Sequence, residues 1–296
     1  MGHELLLTHH HLSFTVNLDL GSFEPQIAAL AKLAQMLVDG APRFVFISSV
    51  ARGLAWTGTG KIPEDRTLPL SAASGGYGRS KAVAEQILLN SDLPATVVRV
   101  GQLSGSSKTG RWDPSNWVPL ILQSSQTLGC LPAAEGDVAW TPIDIAAQIV
   151  LDITFREKEA AARQPVMHLE NPNRTPWNTI LDEAIKVMPA PKSGKVVHRV
   201  SYAKWYDALS KYSSAARSEE EAAKEIPAIR LLSFFSSIKP DSEAVAAGSH
   251  DAFGTRMLAT TASAKASEPL ASCKTIDAGE VQGWIAYWKS VDFMKF

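Results

Sequence analysis

The chain has 296 residues, 45% of them apolar and 20% charged, with a formal net charge of -1, enough for one large buried core or two modest ones. Balanced charge without basic blocks argues against nucleic acid or an anionic membrane surface as partner, and no stretch reaches the ~18 apolar residues of a membrane helix. Two cysteines, Cys130 and Cys273, make no CxxC pair and no disulfide framework, and the apolar run Leu5-Leu6-Leu7 is too short for a signal segment, which together point to a reduced, cytoplasmic setting.

In chain order, residues 4–8 read as a short buried strand, followed by a helix over 22–38. Its apolar positions Ile27, Leu30, Leu33, Ala34, Leu37 and Val38 recur at helical spacing, and Gly40 and Pro42 stop it. Phe44-Val45-Phe46-Ile47 is a continuous apolar run of strand length, as in a central parallel strand. A Gly- and Pro-containing loop covers 53–76. A helix starts near Tyr77 and ends at Asn90-Ser91-Asp92, and the β-branched run over 95–100 is another strand. This alternation marks a doubly wound α/β sheet. Residues 104–140 read as loop-rich. Helices are expected over 143–154, 176–187, 202–212, 217–236 and 279–290, with one more strand over 166–169. The Ala/Ser/Thr-rich stretch 244–272 is expected to be partly a mobile loop, and the run Ser218-Glu219-Glu220-Glu221 a solvated helix face. The division expected is 1–150 for the sheet domain and 151–296 for a mainly helical lobe.

The local chemistry centres on Tyr77-Gly78-Arg79-Ser80-Lys81. Tyr and Lys four apart share one helical face, and an ammonium beside a phenol favours the phenolate, lowering the tyrosine toward working pH. Ser48-Ser49 stands at the carboxyl end of the 44–47 strand, where ligands meet such sheets. This Ser…Tyr-x-x-x-Lys set resembles the extended short-chain dehydrogenase/reductases. By that resemblance Tyr77 is the general acid/base, Lys81 its partner, and Ser49 the catalytic serine, with Ser48 as second choice. Further stretches are similar to the thioester reductase domains that end fungal peptide and polyketide synthetases and carboxylic acid reductases. They are Leu20-Gly21-Ser22-Phe23-Glu24-Pro25, Val98-Arg99-Val100-Gly101-Gln102, Trp140-Thr141-Pro142-Ile143-Asp144, and His168-Leu169-Glu170-Asn171-Pro172. The resemblance implies a Rossmann-like fold and reduction of carrier-bound acyl thioesters with NADPH.

One departure stands against it. None of the nineteen glycines forms the Gly-x-x-Gly-x-x-Gly turn that holds a pyrophosphate. The sequence matches from the family's fourth strand onward, short of about 100 residues of strand–helix pairs. The sheet is thus expected to be incomplete, with a rearranged N-terminus or a homodimer covering its edge, and no cofactor bound.

His9-His10-His11 follow the first strand, and one imidazole, His10 foremost, is a candidate acid/base partner for Tyr77; no cysteine or carboxylate at zinc spacing joins them, so no metal is expected. Gln102 and His11 are substrate-side candidates; Trp112 and Trp117 lie in a loop that by the same resemblance borders the substrate entrance, and they either line an apolar pocket there or pack the lobe. Trp140 and Trp177 are expected to pack the lobe, and Asp144 to cap a helix. Three functions stay open. The first is a cofactor-free enzyme of secondary metabolism using Tyr/Lys/Ser chemistry for cyclisation, isomerisation, aldol-type closure or dehydration of a carbonyl-containing polyketide or peptide intermediate. The others are an NADPH-dependent thioester reductase, truncated or completed by another chain, and a non-catalytic scaffold.

Overall fold

The computed structural model describes residues 5–8, 18–36, 43–191, 194, 196–216, 218–238 and 242–294. Its centre is a four-stranded, all-parallel sheet. The strands are β1 (Leu5–Thr8), β2 (Arg43–Ser49), β3 (Ala95–Val100) and β4 (Val166–Leu169), and they lie side by side in that order. Phe44 pairs with Ala95 and Val97 with Val166, so Ser49, Val100 and Leu169 reach the carboxyl edge together.

Strand alternation sends the two faces of β2 into different cores. Phe44 and Phe46 pack with Leu30 of helix α1 (Glu24–Met36) and with Ala84 and Leu88 of helix α2 (Gly75–Leu89). Val45 and Val98 on the other face pack with Ala146, Ile149 and Ile153 of a later helix (Ile143–Thr154) and with Leu270. The sheet is therefore covered on both sides, as uninterrupted apolar strands require.

Three expectations are corrected. Residues 104–140 contain a full helix, α3 (Trp117–Leu128), with Val118, Leu120, Ile121 and Leu122 buried. Pro119 suggested a loop, but it lies in the first turn, where its missing N–H costs no helical bond, and Gly129 ends the helix at φ 72°. Second, Pro227 interrupts the single helix expected over 217–236. The chain forms Glu219–Glu225, a tight 3-10 stretch Pro227–Leu231, and then Leu232–Ser237. Third, the stretch from 244 to 272 is packed: Leu258, Ser263 and Leu270 are buried, within and beside short helices Thr261–Ala266 and Glu268–Ala271.

The remaining core is a tryptophan-rich lobe. Trp140, Trp177, Trp205, Trp284 and Trp288 are fully enclosed there, so Trp140 and Trp177 pack as their context suggested. This lobe draws on residues 112–140 as well as 177–294. Residue 150 lies inside helix α4 (Ile143–Thr154), and β4 comes after it, so the boundary between sheet and lobe does not fall at one point in the sequence. No helix among the described residues is long and apolar enough to cross a membrane.

Candidate active site

The site forms where β2 ends and α2 begins. Gly75, at φ 63°, leads into α2. Gly78 permits the next contact, since a Cβ there would collide with the Ala51 carbonyl. That closeness brings the Tyr77 phenol near Ser49, whose hydroxyl acts on it. Ser49 also accepts the Ala51 N–H at 3.2 Å, capping the short 3-10 turn that follows β2. The Phe23 ring stands 6.3 Å from that of Tyr77. Lys81, one turn further along α2, is 4% exposed. Its ammonium donates to the Ile47 carbonyl at 2.8 Å and lies 5.6 Å from the Tyr77 ring centre and 4.8 Å from that of Phe46.

The electrostatics depart from expectation. Burial raises the Tyr77 phenol, opposed by the Ser49 hydrogen bond. The expected lowering by Lys81 is not the controlling effect, because that ammonium is turned to the Ile47 carbonyl. Burial in turn lowers Lys81 to about 8, while Glu85 pulls it back up. Ser48 does not share the site: it points to the α2 face of the sheet and donates to Glu85 at 2.5 Å.

The other candidates separate into two groups. Gln102 and Trp117 meet directly, the indole donating to the Gln102 amide oxygen at 3.0 Å. Trp117 also packs edge-on against Phe253 and Trp140, with ring centres 4.9 and 5.7 Å apart. Trp112 is a core residue rather than an entrance residue: it is 5% exposed, enclosed by Trp140, Trp284 and Trp288. Asp144 is not a helix cap; it accepts the backbone N–H of Ser107 at 2.8 Å and its hydroxyl at 2.7 Å, tying down the 104–111 loop. His10 and His11 lie outside the described residues.

Sequence reading missed a buried ionic cluster behind the site. Arg99 clamps Glu85 through Nη2 at 2.8 Å and Nε at 3.1 and 3.2 Å, and Arg52 Nε stands 3.3 Å from the same carboxylate. All three side chains are fully buried. His168 completes it. Its Nδ1 faces the Ala259 carbonyl at 2.7 Å, Arg99 lies 3.4 Å from Nε2, and burial with the Arg99 charge lowers it to about 3. An arginine inside a β-branched strand, and Glu85 four residues after Lys81, were the available signals.

Among the described residues no glycine turn leads from a strand of the sheet directly into a helix, so the pyrophosphate of a dinucleotide has no cradle there. These residues fit the reacting end of such a cofactor's neighbourhood, not its phosphate end. Among them also, no three His, Cys, Asp or Glu side chains group as metal ligands.

A doubly covered parallel sheet with Ser49, Tyr77 and Lys81 at its carboxyl edge defines a Rossmann-like domain of the short-chain dehydrogenase/reductase type. Residues 27–150 match the NAD-binding family described as male sterility protein. Adenylate-forming reductase Nps11 of Serpula lacrymans is 30% identical over 96% of this chain, and the non-canonical non-ribosomal peptide synthetase ascB of Acremonium egyptiacum is 33% identical over 96%. The chain spans about a quarter of each relative's length, 26% and 25%. The terminal R domain of the myxalamid PKS-NRPS pathway superposes with a TM-score of 0.74 at 19% identity, covering 98% of this chain and 69% of that one, and so shares its fold. Residues 27–150 thus carry the match to the male sterility, NAD-binding family, and the chain is homologous to the terminal reductase domains of fungal peptide and polyketide synthetases. The expectation of a domain without cofactor finds no support in this kinship, because the family is one of NAD(P)-binding reductases.

Proposed function

We propose that the chain carries the acid–base and substrate side of an NADPH-dependent thioester reductase acting on a carrier-bound polyketide or peptide acyl group. The observation that carries this reading is the convergence of Ser49, Tyr77 and Lys81 at the sheet's carboxyl edge, with the ammonium 5.6 Å from the Tyr77 ring centre. As a carbonyl oxygen gains negative charge, the Tyr77 O–H gives it a proton. The Ser49 hydroxyl hydrogen-bonds the same oxygen, and the Lys81 ammonium stabilises the phenolate left behind. Gln102 and Trp117 lie on the substrate side.

The test is consumption of NADPH with an acyl-pantetheine thioester, scored for aldehyde or alcohol. Tyr77→Phe is expected to lower kcat/KM by about 10²-fold or more, the usual worth of a positioned proton donor. Turnover that survives this substitution removes Tyr77 from the chemistry.

A second reading is a cofactor-free closure, isomerisation or dehydration. It draws on the Lys81 ammonium being satisfied by the Ile47 carbonyl, together with the lack of a phosphate cradle among the described residues. Change of a carbonyl substrate without NADPH, lost in the same variant, is its signature.

A further inference from the structure

Tyr77, Lys81 and Glu85 recur every four residues along α2 and so lie along one side of the helix. The first two belong to the candidate site; the third is fully buried and has a dense set of partners. From β3 Arg99 grips its carboxylate, from the turn after β2 Arg52 approaches it, and from β2 Ser48 donates to it. His168 of β4 stands behind Arg99 as a neutral ring and adds no charge. Around Lys81 are the Tyr77 and Phe46 rings, the Ile47 carbonyl and, across a cavity of about 30 Å³ next to α1, Gln26. Among the described residues Glu85 is the one carboxylate acting on Lys81, and Arg52 and Arg99 hold that carboxylate in place.

Two consequences follow from this geometry. A buried ammonium keeps its proton more firmly where an anion stands near it, and for Lys81 that anion is Glu85. Also, Ser48 and Ser49 are adjacent on one strand, so anchoring the Ser48 side chain on the α2 face fixes where the Ser49 hydroxyl points.

We propose that Glu85 is a positioning residue for the Ser49–Tyr77–Lys81 centre, holding Lys81 as an ammonium by its charge and Ser49 in place through Ser48. The inference rests on the reading of that centre as the reactive one, but its first readout needs no turnover.

That readout is titration of the Lys81 side chain by NMR of lysine labelled at Cε, with the signal assigned by its loss in Lys81→Arg. In Glu85→Gln the Lys81 midpoint is expected to fall by roughly one pH unit or more, whereas Glu85→Asp, which keeps the charge, holds it near the parent value. A folded Glu85→Gln chain with an unmoved midpoint overturns the proposal. Where Glu85→Gln does not fold, Ser48→Ala decides, since it deletes a single hydroxyl. The Tyr77 phenol midpoint, read by ultraviolet difference against Tyr77→Phe, is then expected to rise, because the Ser49 hydrogen bond that lowers it loosens. An unchanged Tyr77 midpoint overturns the proposal. If the parent chain turns over no thioester while these midpoints shift as stated, the functional reading fails and the role of Glu85 stands.

Discussion

Two adjacent serines at the end of one strand have opposite fates, and the pleat decides between them. Phe44 and Phe46 face α1 and α2, so Ser48 continues that series and meets Glu85, while Ser49 turns to Tyr77. Ser49→Ala is therefore expected to reduce kcat/KM about 10²-fold with little change in unfolding midpoint, as steady-state kinetics beside thermal melting will show. The lysine adds a pH signature. Lys81 is held to about 8 chiefly by burial, so its ammonium is present below that pH and is lost as pH rises through it. Activity is expected to decline across that range, and Lys81→Arg, which stays charged, to remove the limb even at reduced rate. At this scale the grouping of Ser49, Tyr77 and Lys81 was legible because it depends on spacing along one helix and one strand. The sign of the Tyr77 shift was not legible. It turns on burial by Phe23 and the loop before it, which spacing does not encode.

At the scale of elements, α2 carries the Tyr77–Lys81 spacing, and its position is set by what its first turn lacks. Alanine favours a helix interior over glycine by about 1 kcal/mol. At residue 78, however, the added methyl meets the Ala51 carbonyl, which is backbone and cannot swing aside. Sterics outweigh propensity: Gly78→Ala is expected to destabilise the chain by about 2 kcal/mol and to weaken the Ser49–Tyr77 contact. Chemical denaturation measures the first effect and turnover the second; an alanine chain of equal or greater stability contradicts the argument. The elements legible in sequence were those whose apolar periodicity stood unmixed, such as β2, β3 and helix α4. Helix α3 was hidden by Pro119, which reads as a breaker unless its place in the first turn is known. The choice between packing and entrance for Trp112 was not legible because its partners, Trp284 and Trp288, lie some 170 residues away in sequence.

At the scale of the whole molecule, the Ala/Ser/Thr-rich stretch joins the loop after β2 to the end of β4 at the sheet's carboxyl edge. Residues 256–263 hold the loop after β2: Arg256 donates to the Gly58 and Gly60 carbonyls at 2.8 Å each, the Ile62 N–H donates to Met257 at 2.8 Å, and Glu64 accepts the Ser263 N–H at 2.9 Å. The same stretch meets the residue after β4, where Glu170 accepts the Leu258 N–H at 2.8 Å. Its small Ala, Ser and Thr side chains look uncommitted in sequence because their partners lie far along the chain: Ser263 meets Glu64 and the His168 N–H, and Ser267 meets Asp152. Gly101 leaves room for this carboxyl, since a Cβ there would come within 2.9 Å of Glu170 Oε2. Burial raises Glu170 to about 8, with the nearby Asp251 adding to the rise and Lys61 and Arg174 opposing it; burial raises Asp251 as well, to about 6. The folded chain therefore keeps protons that the unfolded chain releases near the ordinary carboxylate value of 4.5. Their contribution to stability is whole below that value and drains away as pH rises from there through about 8. Denaturant midpoints are expected to fall over that range. Glu170→Gln, which cannot ionise yet still accepts from Leu258, is expected to flatten the decline and to be the more stable chain at about pH 9 by roughly 2 kcal/mol. Equal slopes in the two chains would show that Glu170 ionises without straining the clamp.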